Sequence, residues 1–489
     1  MMDILLLSDT HYVSGAAPGE TVEDRQIGLG VELLGRAINA ANREKRPDLI
    51  VLLGDMIDQP DSPNARDELT QFRRLLDKTK IPWLAVGGHH DGSVWHDVFP
   101  PDGVHEIGDY CFYCITDTYN EKDETRRSGE AMADFKQAAS TSDKPLIVIQ
   151  HPIVHPPIDS EYPYNLQNPE QVHAAYESAG GLLSISGHYH PGIDLQTHRG
   201  VNYLTAPSLS ESPFPFLRLR LEGGRIEIQR ETLKLAADFP LVDSHVHTPL
   251  AYCCTHNDLP GALERSRLMG VDKVFLVEHS GQLYADADAY WSGEPFRDPE
   301  LIRRAKDAGT DRMDQYRRLA GEWRSERIGI GLEIDCDYAG QPILLDEDRN
   351  GWDVLLGAVH RLPQDETRSD SPDAIARAFL RLHEKFLTCG IQILAHPLRL
   401  FRRSNQPAPK SLYRPLAKML AETGVAAEIN FHVNHPDPRF FETCIEYSVK
   451  LALGTDTHAL HEAGDLNPHL DFLRRLGPKW KPQNSLITI

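Results

Sequence analysis

A chain of 489 residues exceeds one ordinary core and predicts about two to three domains. Its formal charge of −21 repels polyanions, so long DNA or RNA is not expected as a partner, while a small phosphate ester in a local cationic or metal-filled cleft stays open. No stretch reaches the ~18 apolar residues of a membrane span, and the short apolar opening lacks the basic n-region of an export signal.

At 40 % hydrophobic and 25 % charged, the composition is that of an ordinary globular protein. The seven cysteines are odd in number and show no framework spacing, which points to the reducing cytoplasm. Cys111 and Cys114 form a lone CxxC in an expected strand, and Cys253 and Cys254 are adjacent; both pairs read as buried or incidental thiols. The first-half strands are expected at 4–7, 49–53, 83–86, 146–149, 182–185 and 201–204. A hairpin follows in "FLRLRLEGGRIEIQRETLKL", turning at Gly223-Gly224. The stretch "AADFP" breaks the pattern, so the boundary is placed between domains at 1–235 and 240–489. Second-half strands are expected at 241–242, 274–277, 328–334, 354–359, 391–394, 426–429 and 451–453. Amphipathic helix patterns lie between most of them, such as "SPDAIARAFLRLHEKFLTCG" with its Ser-Pro start and Gly390 end, and "SLYRPLAKMLAETG". Strands alternating with helices suggest a parallel α/β barrel.

Each apolar run of the first half ends in oxygen or nitrogen donors. "ILLLSDTH" delivers Asp9 and His11. "LGD" delivers Asp55, "VGGHHD" His89, His90 and Asp91, "QHP" His151, and "SGHYH" His188 and His190. Residues i and i+2 on an extended segment share a face, which pairs Asp9 with His11 and His188 with His190. Mixed carboxylate and imidazole donors suit divalent Mn, Fe or Zn. His155, in "HPIVHPP", reads as a rim residue.

This ordered pattern, D-x-H, G-D, G-N-H-[DE], H and G-H-x-H, resembles the calcineurin-like metallophosphoesterases over residues 1–235. The resemblance implies an α/β fold of αββα type, a two-layer sandwich flanked by helices, with two metals bridged by a hydroxide. It puts Asp9, His11, Asp55 and His190 on one metal. Asp55 bridges to the second, held also by His151 and His188. His90 would protonate the leaving group, with Asp91 counted as catalytic beside it. His89 departs from the pattern, standing where the family has asparagine; imidazole can take over from an amide oxygen as ligand.

The second half repeats the chemistry on other residues. "LVDSHVHTP" gives Asp243, His245 and His247, and "CCTHND" gives His256. "VEHS" supplies Glu278 and His279, "GLEID" Glu333, "GAVHRL" His360, "LAHPLR" His396, "AEIN" Glu428, and "LGTDTH" Asp456 and His458. In parallel barrels, the strand C-terminal ends are the face where active sites are built. The order is similar to the PHP (polymerase and histidinol phosphatase) domain, in its histidinol-phosphate phosphatase branch, over about residues 240–470. The resemblance implies a distorted (βα)7 barrel with three metals. His245, His247, Glu333 and Asp456 would hold one, and Glu333 would bridge to a second held with His360 and His396. His256, His279 and His458 would hold the third. Arg361 and Arg399 follow ligand positions, so either reaches phosphate or forms a surface salt bridge. Glu428 and Asn430 are expected to orient ligand imidazoles, while His432 and His435 read as structural or solvent-facing.

Both resemblances imply phosphate-ester hydrolysis. The leading expectation is sequential: the first site opens a small phosphodiester, and the second removes the remaining phosphate. A single active centre acting on nucleotides or short oligonucleotides, with the other domain a scaffold or regulator, is the alternative. A homo-oligomer stays open, as does a non-enzymatic sensor.

Overall fold

The computed structural model describes residues 1–363, 372–403, 408–477 and 480–489. The chain divides into two compact units, Met1–Lys234 and Leu235–Ile489. Among the described residues, no helix is long and apolar enough to cross a membrane.

The first unit holds strands β1 (Met2–Leu7), β2 (Thr21–Val22), β3 (Arg25–Gln26), β4 (Leu49–Leu52), β5 (Trp83–Ala85), β6 (Gly103–Ile107), β7 (Tyr110–Cys114), β8 (Leu146–Ile149), β9 (Gly181–Ser186), β10 (Ile193–His198), β11 (Val201–Thr205), β12 (Pro215–Glu222) and β13 (Arg225–Thr232). They build one sheet in the order β13-β12-β1-β4-β5, another in the order β10-β11-β9-β8-β7-β6, and a small β2-β3 ribbon. Alternation along the strands sends Ile4, Leu6 and Val51 of one sheet against Phe112, Ile147, Ile149 and Leu183 of the other. The opposite face of the second sheet, with Tyr113, Val148 and Tyr203, packs under Phe135, Val172 and Tyr176 of helices Gly129–Ala139 and Pro169–Ser178. This is an αββα sandwich. The alternation also separates the CxxC: Cys111 lies in the helix-covered cluster and Cys114 in the inter-sheet core, so their sulfurs sit on opposite faces.

The second unit is a (βα)7 barrel. Its strands β14 (Val242–Val246), β15 (Lys273–His279), β16 (Ile328–Asp335), β17 (Val354–Ala358), β18 (Ile393–Leu394), β19 (Ala426–Asn430) and β20 (Leu451–Gly454) pair in chain order, all parallel. β20 returns toward β14, where Val246 bridges Thr457 and the Asp456 N–H donates to the His245 carbonyl at 2.8 Å, so the barrel is nearly closed. Outward residues Val274, Leu276, Leu332 and Ile334 join the core beneath the helices. Inward residues Phe275, Val277, Val354, Leu356, Ala358, Ala426 and Ala452 form a separate apolar plug. The same two-residue period carries the inner face of β15 on to His279, that of β17 to His360, and that of β19 to Glu428 and Asn430. Strands buried on both faces read as continuous apolar runs, so this alternation is invisible in the sequence pattern. The helix expected from Ser371 spans Pro372–Phe386, its Ser371 start lying outside the described residues, and the second expected helix spans Tyr413–Thr423, ending at Gly424 with φ 71°.

Candidate metal centres

In the first unit, donors emerge from the ends of β1, β4, β5, β8 and β9. Asp9, His11, Asp55 and His188 have φ of 54°, 45°, 54° and 70°. L-residues rarely adopt this left-handed region, and it turns each chain sharply out of its strand. Asp55 sits at the middle of the group. Its Oδ2 lies 3.1 Å from both His89 Nδ1 and His151 Nε2, and 4.0 Å from His11 Nε2. His151 Nε2 is 3.1 Å from His188 Nδ1. His11 Nε2 is 3.2 Å from His190 Nε2, and His190 Nε2 is 3.7 Å from Asp9 Oδ1. Among the groups that result are Asp55-His89-His151-His188, Asp9-His11-His190 and His11-Asp58-His90, each with its donor atoms within 4.8 Å of one another. The close approach depends on Gly88, where a Cβ would fall 2.2 Å from Asp55 Oδ1.

The imidazoles are held from behind. His151 Nδ1–H donates to the Leu53 carbonyl at 2.6 Å, which makes Nε2, facing Asp55, the nitrogen that would give up its proton to bind a cation. Asp58 Oδ1 is 3.1 Å from His11 Nδ1, and Glu211 contacts His190 Nδ1. The Tyr162 hydroxyl lies 2.8 Å from His89 Nε2 and 3.2 Å from Asp123 Oδ2. Asp58, Glu211 and Tyr162 were not anticipated from the motifs. Burial takes His11 down to about 3; burial also opposes charge on His151, but the Asp55 carboxylate beside it raises that group to about 10.

His90 stands at the edge of this group. Its backbone N–H donates to Asp55 Oδ1 at 2.8 Å, and its ring Nδ1–H donates to the Asp58 carbonyl at 2.8 Å, leaving Nε2 as the nitrogen that can exchange a proton. Asp91 requires a correction. It is fully buried, and its carboxylate accepts the backbone N–H groups of Asp55, Met56, Ile57 and Gly88 at 2.8, 2.8, 3.2 and 2.8 Å. With both oxygens engaged, it clamps two loops together and is not free to act on a substrate. His155 stacks on His198 with ring centroids 4.3 Å apart, beside Tyr203.

In the barrel, Glu333 is the shared group. Its Oε2 is 3.5 Å from His245 Nε2, 3.6 Å from His247 Nε2 and 2.7 Å from His279 Nδ1. Its Oε1 is 3.3 Å from His360 Nε2 and 2.8 Å from His396 Nε2. Asp456 Oδ1 faces His245 Nε2 at 3.5 Å and His247 Nε2 at 3.1 Å. His247, His279 and His458 form a further group. His396 and Asp456 again have left-handed backbones, φ 34° and 55°. Glu428 Oε1 lies 2.8 Å from His245 Nδ1, while its Oε2 accepts the His396 N–H at 2.8 Å and the Asn430 amide at 3.1 Å. Asp335 Oδ1 is 2.7 Å from His360 Nδ1. Asp243 takes the Thr455 hydroxyl and backbone N–H, and Glu278 takes those of Thr248. His432 stacks on His458 at 4.2 Å, and His435 is exposed.

Two expectations change here, and a residue outside the motifs joins the third group. His256 is buried at 6 % exposure and neither ring nitrogen meets a hydrogen-bond partner. Cys253 also contacts His279 and His458, its Sγ lying 3.4 Å from His279 Nε2 and 3.1 Å from His458 Nε2. Arg399 is no surface residue: it is buried, pairs with Asp456 and lies 3.1 Å from His360 Nε2. Arg361 instead points to the Trp291 carbonyl at 3.0 Å and over the Phe296 ring.

Unsatisfied atoms show that the donor sets fit divalent cations. Asp9 Oδ1, Asp55 Oδ2 and His89 Nδ1 in the first unit are buried without hydrogen-bond partners, as are Glu333 Oε2 and Asp456 Oδ1 in the second. Each such atom costs about 1–3 kcal/mol when nothing replaces its water. They converge within the clusters, where a cation satisfies several together.

Residues 2–192 match the calcineurin-like phosphoesterase family, and residues 243–432 match the PHP domain. Fold and donor sets thus define a metal-dependent phosphoesterase. The chain carries a calcineurin-like phosphoesterase domain followed by a PHP domain. Similar solved structures include a dimetal phosphatase from Danio rerio (16 % identity, 47 % of this chain and 96 % of that one, TM-score 0.40). Another is the TT1561 protein of Thermus thermophilus (16 %, 47 % and 98 %, TM-score 0.34). A third is the purple acid phosphatase PPD1 from yellow lupin seeds (11 %, 47 % and 51 %, TM-score 0.34). No curated protein sequence matches the chain.

Proposed function

We propose that the chain hydrolyses a small phosphodiester at the sandwich site and a phosphomonoester at the barrel site, the second reaction consuming the product of the first. The observation that carries this reading is that each unit has its own set of converging, buried, unsatisfied carboxylate and imidazole atoms. Bound divalent cations, Mn, Fe or Zn, would supply Lewis acidity toward phosphate oxygens and lower the pKa of water. Asp9, His11, Asp55, His89, His151, His188 and His190 would hold them in the first unit. His245, His247, His279, Glu333, His360, His396, Asp456 and His458 would do so in the second.

The chain's own residues then divide the work. His90 Nε2 delivers a proton to the departing alkoxide, its ring fixed by the Asp58 carbonyl. Arg399 places a guanidinium among the barrel donors, where it can bind a phosphate oxygen. His89 keeps a donor atom on Asp55 in place of the family's amide oxygen, which favours an intact first site over a bare scaffold. The charge of −21 supports a small ester as substrate over a long polyanion.

The test is an aryl phosphodiester and its monoester given to metal-replete full-length protein, Asp55→Ala and His247→Ala. The expected result is loss of diester cleavage alone in the first variant and of monoester cleavage alone in the second. If one substitution removes both activities and the other neither, a single centre does the chemistry.

A further inference from the structure

We propose that Cys253 is a metal ligand, completing with His279 and His458 a thiolate–imidazole site in the barrel that selects a soft cation such as Zn. This rests on the metal dependence proposed above.

The turn after β14 is tied to both neighbours of that site. The Tyr252 N–H donates to Gln282 Oε1 at 2.6 Å, and Gln282 Nε2 lies 3.5 Å from Cys253 Sγ, which fixes the turn to the helix that follows His279. The Thr255 N–H donates to the His458 carbonyl at 2.8 Å, and Cys254 Sγ lies 3.5 Å from the same oxygen. Cys253 is therefore held between the two histidines from both ends. His458 Nδ1–H donates to the Asp456 carbonyl at 2.6 Å, so Nε2 carries the lone pair, and that nitrogen faces Sγ. His279 likewise presents Nε2 to Sγ and keeps Nδ1 against Glu333.

The spacing fits a common centre. With Zn–S and Zn–N bonds of about 2.3 and 2.0–2.1 Å at a tetrahedral angle, a sulfur and a nitrogen ligand stand about 3.5 Å apart. The observed separations are 3.4 and 3.1 Å. A thiolate binds Zn in preference to the harder Mn, so this position would differ in metal from the carboxylate-rich remainder of the centre. The adjacent Cys254 points its sulfur at backbone carbonyls and takes no part.

The experiment strips the full-length protein with a chelator, reloads it with Co(II), and records near-ultraviolet absorption and metal content. Wild type should show a thiolate-to-cobalt charge-transfer band. Cys253→Ser should lose the band and a cobalt equivalent, Cys253→His should recover the cobalt without the band, and Cys254→Ser should match wild type. Alkylation of wild type, read by peptide mass spectrometry, should label Cys253 in the stripped chain and spare it in the loaded one. A fully loaded wild type without the band, a band that survives Cys253→Ser, or equal labelling in both states overturns the assignment and leaves the hydrolytic reading standing. A chain that takes up no cobalt overturns both.

Discussion

Gly88→Ala perturbs the first site without replacing a donor. Gly88 has φ −105° and ψ −171°, a conformation any residue adopts, so the added methyl acts through space alone. It would meet Asp55 Oδ1 at 2.2 Å, Cγ at 2.7 Å and the backbone nitrogen at 2.7 Å, where ordinary contact starts at 3.4 Å. The backbone nitrogen is pinned by Asp91, so the carboxylate must withdraw by roughly 1 Å, and overpacking of this kind costs about 1–3 kcal/mol. Misplacement by about 1 Å lowers rate by on the order of 10²-fold. The assay is diester and monoester hydrolysis by the full chain, with metal content and a thermal melt. Diester cleavage and metal content should fall while monoester cleavage holds. Gly35→Ala is the control: its methyl meets nothing closer than 3.7 Å, and in a helix it should stabilise by about 0.5–1 kcal/mol. A Gly88→Ala protein with wild-type diester rate and full metal content would refute the reasoning.

Asp91→Asn should cost at least about 2 kcal/mol, because an amide cannot accept all four backbone N–H groups and a stranded buried donor costs about 1–3 kcal/mol. An unchanged denaturation midpoint with lost activity would return Asp91 to a catalytic role. Arg399→Ala should lower monoester kcat/KM by on the order of 10²-fold, whereas Arg361→Ala, whose guanidinium serves Trp291 and Phe296, should leave it within a few-fold. Equal losses in both would remove Arg399 from the site. His383, buried in the helix Pro372–Phe386 with its Nδ1–H on the Phe379 carbonyl, is lowered by burial to about 4. Between pH 4 and 6.5 the unfolded chain therefore binds the extra proton, and stability falls as pH drops through that window, by about 3 kcal/mol at its foot. His383→Leu should flatten that limb of the melting curve; parallel slopes for the two proteins would show that another group is responsible.

The donors at strand ends were legible because metal chemistry admits few residue types and an apolar strand announces where it stops. The Cys253 and Tyr162 contacts were not. His11 meets Asp58 across 47 residues and His89 meets Tyr162 across 73, and no local pattern encodes such proximity. Asp335 did carry a signal, since it follows Glu333 by two positions on one strand face. The arginines misled for a related reason: adjacent spacing to a ligand does not say which way a long side chain turns. Among the strands, β6 and β10 were missed because "GVHEI" and "IDLQTH" are half-exposed edges with no apolar run. β18 came out shorter than expected, at Ile393–Leu394, with the left-handed His396 two residues beyond.

The inner face of the barrel bears on how such a protein can change over generations. Phe275 and Val277 share a side of β15 with His279, and Val354, Leu356 and Ala358 share one with His360. Loss or gain of one residue within either strand would turn its donor outward and its plug residues with it, a double failure from a single lesion. Insertions and deletions should therefore be confined to the connections, while the strand lengths stay frozen. Drift in substrate preference is then left to the loops.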